Sequence, residues 1–77
     1  MKPTVGRIVH FVLREGEIRS AEIVKVWSET CVNLHVRLDG SNDRDADGSA
    51  ASLLRWETSV VFGGPEQVRS WFWPPRV

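Results

Sequence analysis

The chain has 77 residues, no net formal charge and a single cysteine, Cys31. A domain of this size builds a core that supplies only about 3–5 kcal/mol, so self-association is a common further source of stability. One cysteine excludes an internal disulfide, and apolar runs such as Val60-Val61-Phe62 are far shorter than the roughly 20 residues of a membrane-spanning helix. Because no signal-peptide pattern opens the chain, we expect a cytoplasmic protein.

Charge is unevenly distributed along the chain. Residues 1–38 carry six Lys/Arg and four Glu, residues 39–51 carry one Arg and four Asp, and residues 52–77 carry three Arg and two Glu. Binding along a nucleic acid duplex rewards a broad basic surface, so this distribution argues against a DNA-coating protein. A compact anionic ligand held by two or three arginines is compatible with it, because that requires local rather than net charge.

Strand patterns dominate the first half of the sequence. They predict a strand over Val5–Leu13, a hairpin turn at Arg14–Glu17 and a returning strand over Ile18–Trp27. Beyond a short polar connection, aliphatic residues alternate with more polar ones. The aliphatic positions are Val32, Leu34, Val36 and Leu38, and the others are Cys31, Asn33, His35 and Arg37. This alternation predicts a third strand with its aliphatic face toward the core.

The second half begins with residues 39–51, which lack large apolar side chains and predict a long exposed acidic loop. A fourth strand should follow. One of its faces would carry Leu54, Trp56, Thr58, Val60 and Phe62, and the other Arg55, Glu57 and Ser59. Gly63-Gly64-Pro65 ends this strand, Pro65–Val68 favours a single helical or 3₁₀ turn, and a short fifth strand over Trp71–Trp73 closes the sheet.

The element pattern indicates one all-β domain over residues 1–77. Five short, mainly antiparallel strands with a turn before the last predict a small SH3-like, partly open barrel. An OB-like barrel is the alternative, although that fold usually needs more residues.

The sequence favours neither a metal site nor catalysis. Asp43, Asp45 and Asp47, followed by Gly48, resemble the opening of a calcium loop, but Leu54 stands where the bidentate glutamate is required. These aspartates are therefore weak metal candidates in an exposed hairpin loop. Two histidines and one cysteine in separate contexts do not make a zinc site, and no nucleophile or phosphate-loop motif is present. We expect a non-enzymatic protein without cofactors.

Four tryptophans are an excess in so short a chain. Trp27 and Trp56 occupy strand positions and are expected in the core. Trp71 and Trp73 should point to one side of the fifth strand, with Phe72 on the other. Core packing, a subunit interface and stacking on a ligand base stay open for this pair.

The outward positions of the third and fourth strands suggest a polar patch. His35 and Arg37 share one face, and Arg55 is expected on the corresponding face of the next strand. If the strands pair, these side chains form a patch able to hold a phosphate, with an ordinary solvated face as the alternative. His10 and Cys31 are expected to be structural, the latter as a buried or half-buried thiol.

Both ends of the chain carry recognisable segments, Pro3–Phe11 and Trp71–Arg76. They resemble a family of small, mostly uncharacterised bacteriophage proteins that open with a "PTVGRIVHY"-like strand and close on a "WxWPxR"-like tail. The resemblance also covers Cys31-Val32-Asn33-Leu34, Asn42-Asp43 and Thr58-Ser59-Val60. Phe11 and Phe72 depart from it, since the family often has tyrosine and a polar residue there.

The resemblance implies a phage accessory protein that acts against host defence in an infected bacterium. The first hypothesis is a homo-oligomer that sequesters a cyclic-nucleotide immune signal. Its predicted ligand-binding residues are His35, Arg37, Arg55, Trp71, Trp73 and Arg76. The alternatives are a protein-interaction module that docks its aromatic rim and Pro74-Pro75 tail on a host protein, and a nucleic-acid-binding SH3-like barrel.

Overall fold

A computed structural model of the chain describes residues 2–38 and 54–75. Within these residues it contains five strands and no helix. The strands are β1 (Ile8–Arg14), β2 (Glu17–Val26), β3 (Cys31–Arg37), β4 (Leu54–Phe62) and β5 (Ser70–Phe72). The predicted all-β fold is confirmed.

The strands form a closed barrel in the order β1-β2-β3-β4-β5. Successive strands from β1 to β4 pair antiparallel, and β5 pairs antiparallel with β1. A short parallel ladder, in which Val61 lies beside Ser70 and Phe62 beside Trp71, joins β4 to β5. This ladder closes a barrel that the sequence predicted to be partly open. The architecture is consistent with a small SH3- or OB-like barrel.

The connections follow the predicted turn residues. Gly16, at φ +80°, lies in the tight turn between Arg14 and Glu17. Gly6, at φ +94°, allows a turn before β1, so that strand begins at Ile8 rather than Val5. Residues 65–69 form turns rather than a helix before β5.

The core fills the barrel interior with the inward side chains of all five strands. Its buried residues are Val9, Phe11, Leu13, Ala21, Ile23, Val32, Leu34, Val36, Val60 and Trp71. The predicted aliphatic face of β3 is confirmed, with Leu38 packed at its margin. Trp71 is the largest fully buried side chain, and its Nε1–H donates to the carbonyl oxygen of Thr30 at 3.1 Å. Core packing is therefore the role that the fold gives this tryptophan.

A β-bulge interrupts the alternation of β4. Val32 pairs with Val60 and Leu34 with Glu57, so Thr58 and Ser59 lie together opposite the single residue Asn33. Because the bulge adds one residue to the strand, the alternation of inward and outward side chains reverses at the bulge. Val60 faces the core after the bulge, but Arg55 and Glu57 share the face of the core residues before it. The predicted single face of β4 is therefore wrong.

A second bulge, in β2, explains the position of Trp27. Ile23 pairs with Leu34 and Lys25 with Asn33, so Val24 is the additional residue. Ile23 faces the core, but Lys25 and Trp27 lie on the outside. Trp27 is 56% exposed and Trp56 is 57% exposed, so the prediction that both belong to the core is wrong.

Candidate functional site

The predicted ligand-binding residues lie in different parts of one copy of the barrel. Trp71 is in the core, and Trp73 is half-buried against it. His35 and Arg37 project outward from β3, whereas Arg55 shares the interior face of Val36. Arg76 lies outside the described residues, as do Asp43, Asp45 and Asp47. Ligand binding by these residues stays a prediction.

Arg55 does not join His35 and Arg37 in a polar patch, which corrects the expectation from the sequence. Its partner in the ladder is Val36, and residues directly opposite each other in an antiparallel pair share a face. The Arg55 guanidinium instead makes an ion pair with the Glu57 carboxylate, and both side chains are largely buried. The mutual neutralisation allows two charged groups on the interior face near the end of the barrel.

The outward side chains of β2, β3 and β4 form a surface that we call the outer face. It consists of Glu22, Lys25, Trp27, His35, Arg37 and Trp56. His35 lies between Glu22 on β2 and Trp56 on β4 in one row across the sheet. Arg37 is 60% exposed, and its guanidinium is 3.5 Å from the Glu22 carboxylate. An ion pair this exposed contributes little to stability, so these charges are accessible to a ligand.

Trp27 is exposed and yet held in place. Its Nε1–H donates to Oδ1 of Asn33 at 2.9 Å, and the Lys25 ammonium is 4.5 Å from its ring centroid. The same Oδ1 accepts from the Thr58 hydroxyl at 3.1 Å and from the Ser59 backbone N–H at 2.8 Å. Asn33 is buried under these contacts. The β4 bulge and the Trp27 ring are therefore fixed by one side chain.

A second surface feature is an open groove of about 320 Å³, which we call the aromatic groove. It is lined by Glu29, Thr30, Phe62, Trp71 and Trp73. The ring planes of Phe62 and Trp71 meet at 81° with centroids 5.0 Å apart, and those of Trp71 and Trp73 meet at 86° with centroids 5.3 Å apart. The rings of Phe62 and Trp73 therefore stand nearly perpendicular to the fully buried ring of Trp71.

Two charged residues lie near the aromatic groove, one that lines it and one that does not. Glu29 is exposed in the turn between β2 and β3 and lines the groove. The Arg7 guanidinium carbon is 5.6 Å from the Trp73 ring centroid, but Arg7 does not line the groove. Trp73 thus already interacts with a cation outside the groove, and Glu29 is an acidic residue that lines it.

The sequence did not predict most of the residues that form the outer face and the aromatic groove. Trp27 and Trp56 were expected inside, because a bulge between polar residues leaves no sign in an alternation pattern. Glu29 and Arg7 meet the aromatic residues only when the barrel closes. A polar Asn33 in the centre of a strand was the one available signal, since a buried side-chain amide requires partners.

The two predicted structural residues have ordinary surroundings. The His10 ring contacts Phe72 edge to face with centroids 5.4 Å apart, and Cys31 is partly buried.

Among residues 2–38 and 54–75, no group of three or more His, Cys, Asp or Glu side chains could hold a metal ion. No helix in the same ranges is long and apolar enough to span a membrane.

Comparison of the chain with protein-family models, with curated proteins and with solved structures finds no match. The resemblance of the two ends to small phage proteins therefore stays a prediction.

Proposed function

We propose that this protein is a non-enzymatic binding domain that recognises another protein through the outer face. The observation that carries the proposal is the exposure of Trp27 and Trp56, each more than half accessible on one side of the same sheet. Tryptophan and arginine dominate the binding energy of protein interfaces, and Arg37 lies on the same face. Exposed apolar side chains of this size are typical of interaction surfaces.

Aliphatic residues beside the outer face favour a protein over a nucleic acid. Ile8 pairs with Glu22 and is 45% exposed, and Val61 pairs with Cys31 and is 46% exposed. Such side chains gain free energy when a protein covers them, but they neither stack on bases nor bind phosphates. Glu22 also offsets the basic residues of the face, which weakens attraction to a phosphate backbone.

The held position of Trp27 supports the same proposal. A ring fixed by Asn33 and Lys25 loses little conformational entropy when a partner covers it. If the resemblance to phage accessory proteins holds, the partner is a protein of the infected bacterium and binding inhibits it. Inhibition then follows from occlusion of the partner and requires no catalytic group in this chain.

Sequestration of a cyclic nucleotide is the second candidate function. It is favoured by Arg7 beside Trp73, since a cation next to an aromatic ring suits a phosphate joined to a base. The candidate needs an oligomer, because Arg37 and Trp73 belong to different surfaces of one copy. Native mass spectrometry with a panel of cyclic oligonucleotides tests it, and whole-number ligand masses on a discrete oligomer would replace the first proposal.

The test of the first proposal is affinity capture from lysate of a bacterial host with matched variants. We expect a host protein to be retained by the wild type and by Val5→Ala, whose side chain is exposed and outside the outer face. Trp27→Ala and Trp56→Ala should each lose that protein while their unfolding transitions stay cooperative. Capture that is unchanged in both tryptophan variants would contradict the proposal.

A further inference from the structure

We infer that two copies of this chain pair through one edge of β4 and form a symmetric dimer, in which one sheet runs through both barrels. Trp56 of one copy lies opposite Trp56 of the other, and Arg55 of each copy lies opposite Glu57 of the other. This pairing goes beyond the proposed function, because it uses a strand edge and a second copy rather than the outer face and another protein.

The edge of β4 that faces away from β3 is only partly covered. β3 pairs with β4 from Leu54 to Val61, whereas β5 pairs with β4 at Val61 and Phe62. The chain before β5 follows β1 instead, since the Arg69 N–H donates to the Val12 carbonyl oxygen at 2.8 Å. Within residues 2–38 and 54–75, no strand pairs with the remainder of this edge. Such an edge presents backbone N–H and C=O groups to an added strand.

The β4 bulge limits the regular part of this edge to five residues. Ser59 adopts φ +54° and its N–H donates to the Asn33 side chain, so the regular extended backbone ends at Thr58. The segment available for pairing is then 54–58, with Trp56 at its centre. Two identical segments that pair antiparallel about a twofold axis use their full length only when their central residues lie opposite each other. The length of the edge therefore specifies the register centred on Trp56.

Charge selects the same register. Arg55 and Glu57 lie on one face of β4, on either side of Trp56. Pairing centred on Trp56 places Arg55 of each copy opposite Glu57 of the other, whereas pairing centred on Arg55 or on Glu57 places like charges opposite each other. Opposite charges stabilise a strand pair in these positions, and like charges destabilise it. A shift by one residue would bring inner and outer faces together.

The same two charges favour a second copy over an unrelated strand. Arg55 is 21% exposed and Glu57 is 14% exposed, so a strand added beside them removes much of their remaining contact with water. Inward charged side chains at a sheet edge oppose pairing with a strand that lacks complementary charges, because they lose hydration without compensation. A second copy supplies both charges at the matching positions. The β4 edge therefore discriminates against most strands and accepts its own.

Trp56 adds an aromatic contact on the twofold axis. Its side chain is 57% exposed on the outside of the sheet. Side chains directly opposite each other in an antiparallel pair have Cβ atoms about 4.5–5.5 Å apart, and aromatic pairs at this distance are favourable. Pairing therefore covers part of both indole rings and joins the two outer faces into one surface. Self-association of this kind also suits a chain of 77 residues, whose core is small.

The register is tested by exchanging the two charges. The double variant Arg55→Glu/Glu57→Arg keeps opposite charges within each copy and within its own dimer, but its pairing with the wild type places like charges opposite each other. Native mass spectrometry of ¹⁵N-labelled wild type mixed with the unlabelled variant resolves all species. We expect two homodimers, with mixed dimers several-fold below the share that random pairing gives. Random pairing, or a wild type that stays monomeric as its concentration rises, would overturn the inference.

A cysteine on the twofold axis gives a second test, which leaves both charges in place. In a Cys31→Ser background, Trp56→Cys should form a disulfide-linked dimer under mild oxidation, because this register brings the two sulfurs together. Arg37→Cys in the same background is the matched control, since Arg37 is 60% exposed on β3 and lies away from the axis. It should cross-link several-fold more slowly. Equal rates for the two variants would overturn the inference.

Trp27→Ala distinguishes this inference from the proposed function. Trp27 follows β2, and β3 separates it from the β4 edge. The variant should therefore dimerise like the wild type even though it no longer captures a host protein. Loss of the dimer in a normally folded Trp27→Ala protein would contradict pairing through β4. Wild-type dimers in the absence of any captured protein would support the β4 pairing while the proposed function fails.

Discussion

The indole N–H of Trp27 donates a hydrogen bond to the side-chain oxygen of Asn33 across 2.9 Å, although most of the indole is open to solvent. This contact joins the residue that follows β2 to the middle of β3. Because the same oxygen also accepts from Thr58 and from the Ser59 backbone, it connects an exposed ring to the bulge of β4. The contribution of each contact to the free energy of unfolding can be measured.

The coupling between Trp27 and Asn33 is measured by a double-mutant cycle. Trp27→Phe removes the donor but keeps an aromatic ring, and Asn33→Ala removes the acceptor for all three donors. We expect Asn33→Ala to lower the free energy of unfolding by about 1–3 kcal/mol, because three donors then lose their shared acceptor. The coupling energy from urea denaturation should be about 1 kcal/mol. A cycle with no coupling would show that the hydrogen bond does not contribute to stability.

Ser59 adopts φ +54°, a left-handed backbone conformation that costs most residues about 1–2 kcal/mol. We expect Ser59→Gly to be neutral or stabilising by up to about 1 kcal/mol, because glycine adopts this conformation without strain. Ser59→Val should destabilise the protein by about 1–2 kcal/mol, since a β-branched side chain tolerates it poorly. Equal midpoints of urea denaturation for the two variants would contradict this account of the bulge.

Gly63 and Gly64 are neighbours with opposite tolerance for a side chain. A Cβ on Gly63 would lie 2.7 Å from both Cβ and Oγ of Ser70, whereas a Cβ on Gly64 meets nothing within 4 Å. Ser70 is fully buried and its hydroxyl is 2.6 Å from the Gln67 carbonyl oxygen, so it has little room to move. Thermal unfolding should show Gly63→Ala destabilised by about 1–3 kcal/mol and Gly64→Ala within about 0.5 kcal/mol of wild type. Similar melting temperatures for both would refute the steric argument.

The tryptophans differ in their contribution to stability. Trp71→Ala should cost about 3–5 kcal/mol, because it leaves a large cavity in the core. Trp56→Ala should change the unfolding free energy by only about 0.5 kcal/mol, since its side chain is 57% exposed. Urea denaturation followed by circular dichroism compares the two without depending on tryptophan fluorescence. A large loss in the Trp56 variant would mean that this residue packs in the core after all.

The sequence predicted the parts of the fold that depend on local alternation. Val32, Leu34 and Val36 face the core as their spacing indicated, and Gly16 lies in the predicted turn. It did not predict the face of Trp56, because the bulge at Thr58–Ser59 forms through a hydrogen bond to a residue 26 positions away from Ser59. The aromatic groove also depends on distant segments, because Glu29 and Trp73 line the same groove only once the barrel has closed.

The shortest strand carries two ladders. β5 has three residues, and it pairs with β1 through Trp71 and Phe72 and with β4 through Ser70 and Trp71. Release of this one segment would expose unpaired backbone on β1 and β4 at once and would uncover the cavity that Trp71 fills. The amide protons of both neighbouring strands that face β5 should then exchange with solvent in a single cooperative opening. The gap left between β1 and β4 could then be filled by β5 of a second copy. The product would be a strand-exchanged dimer.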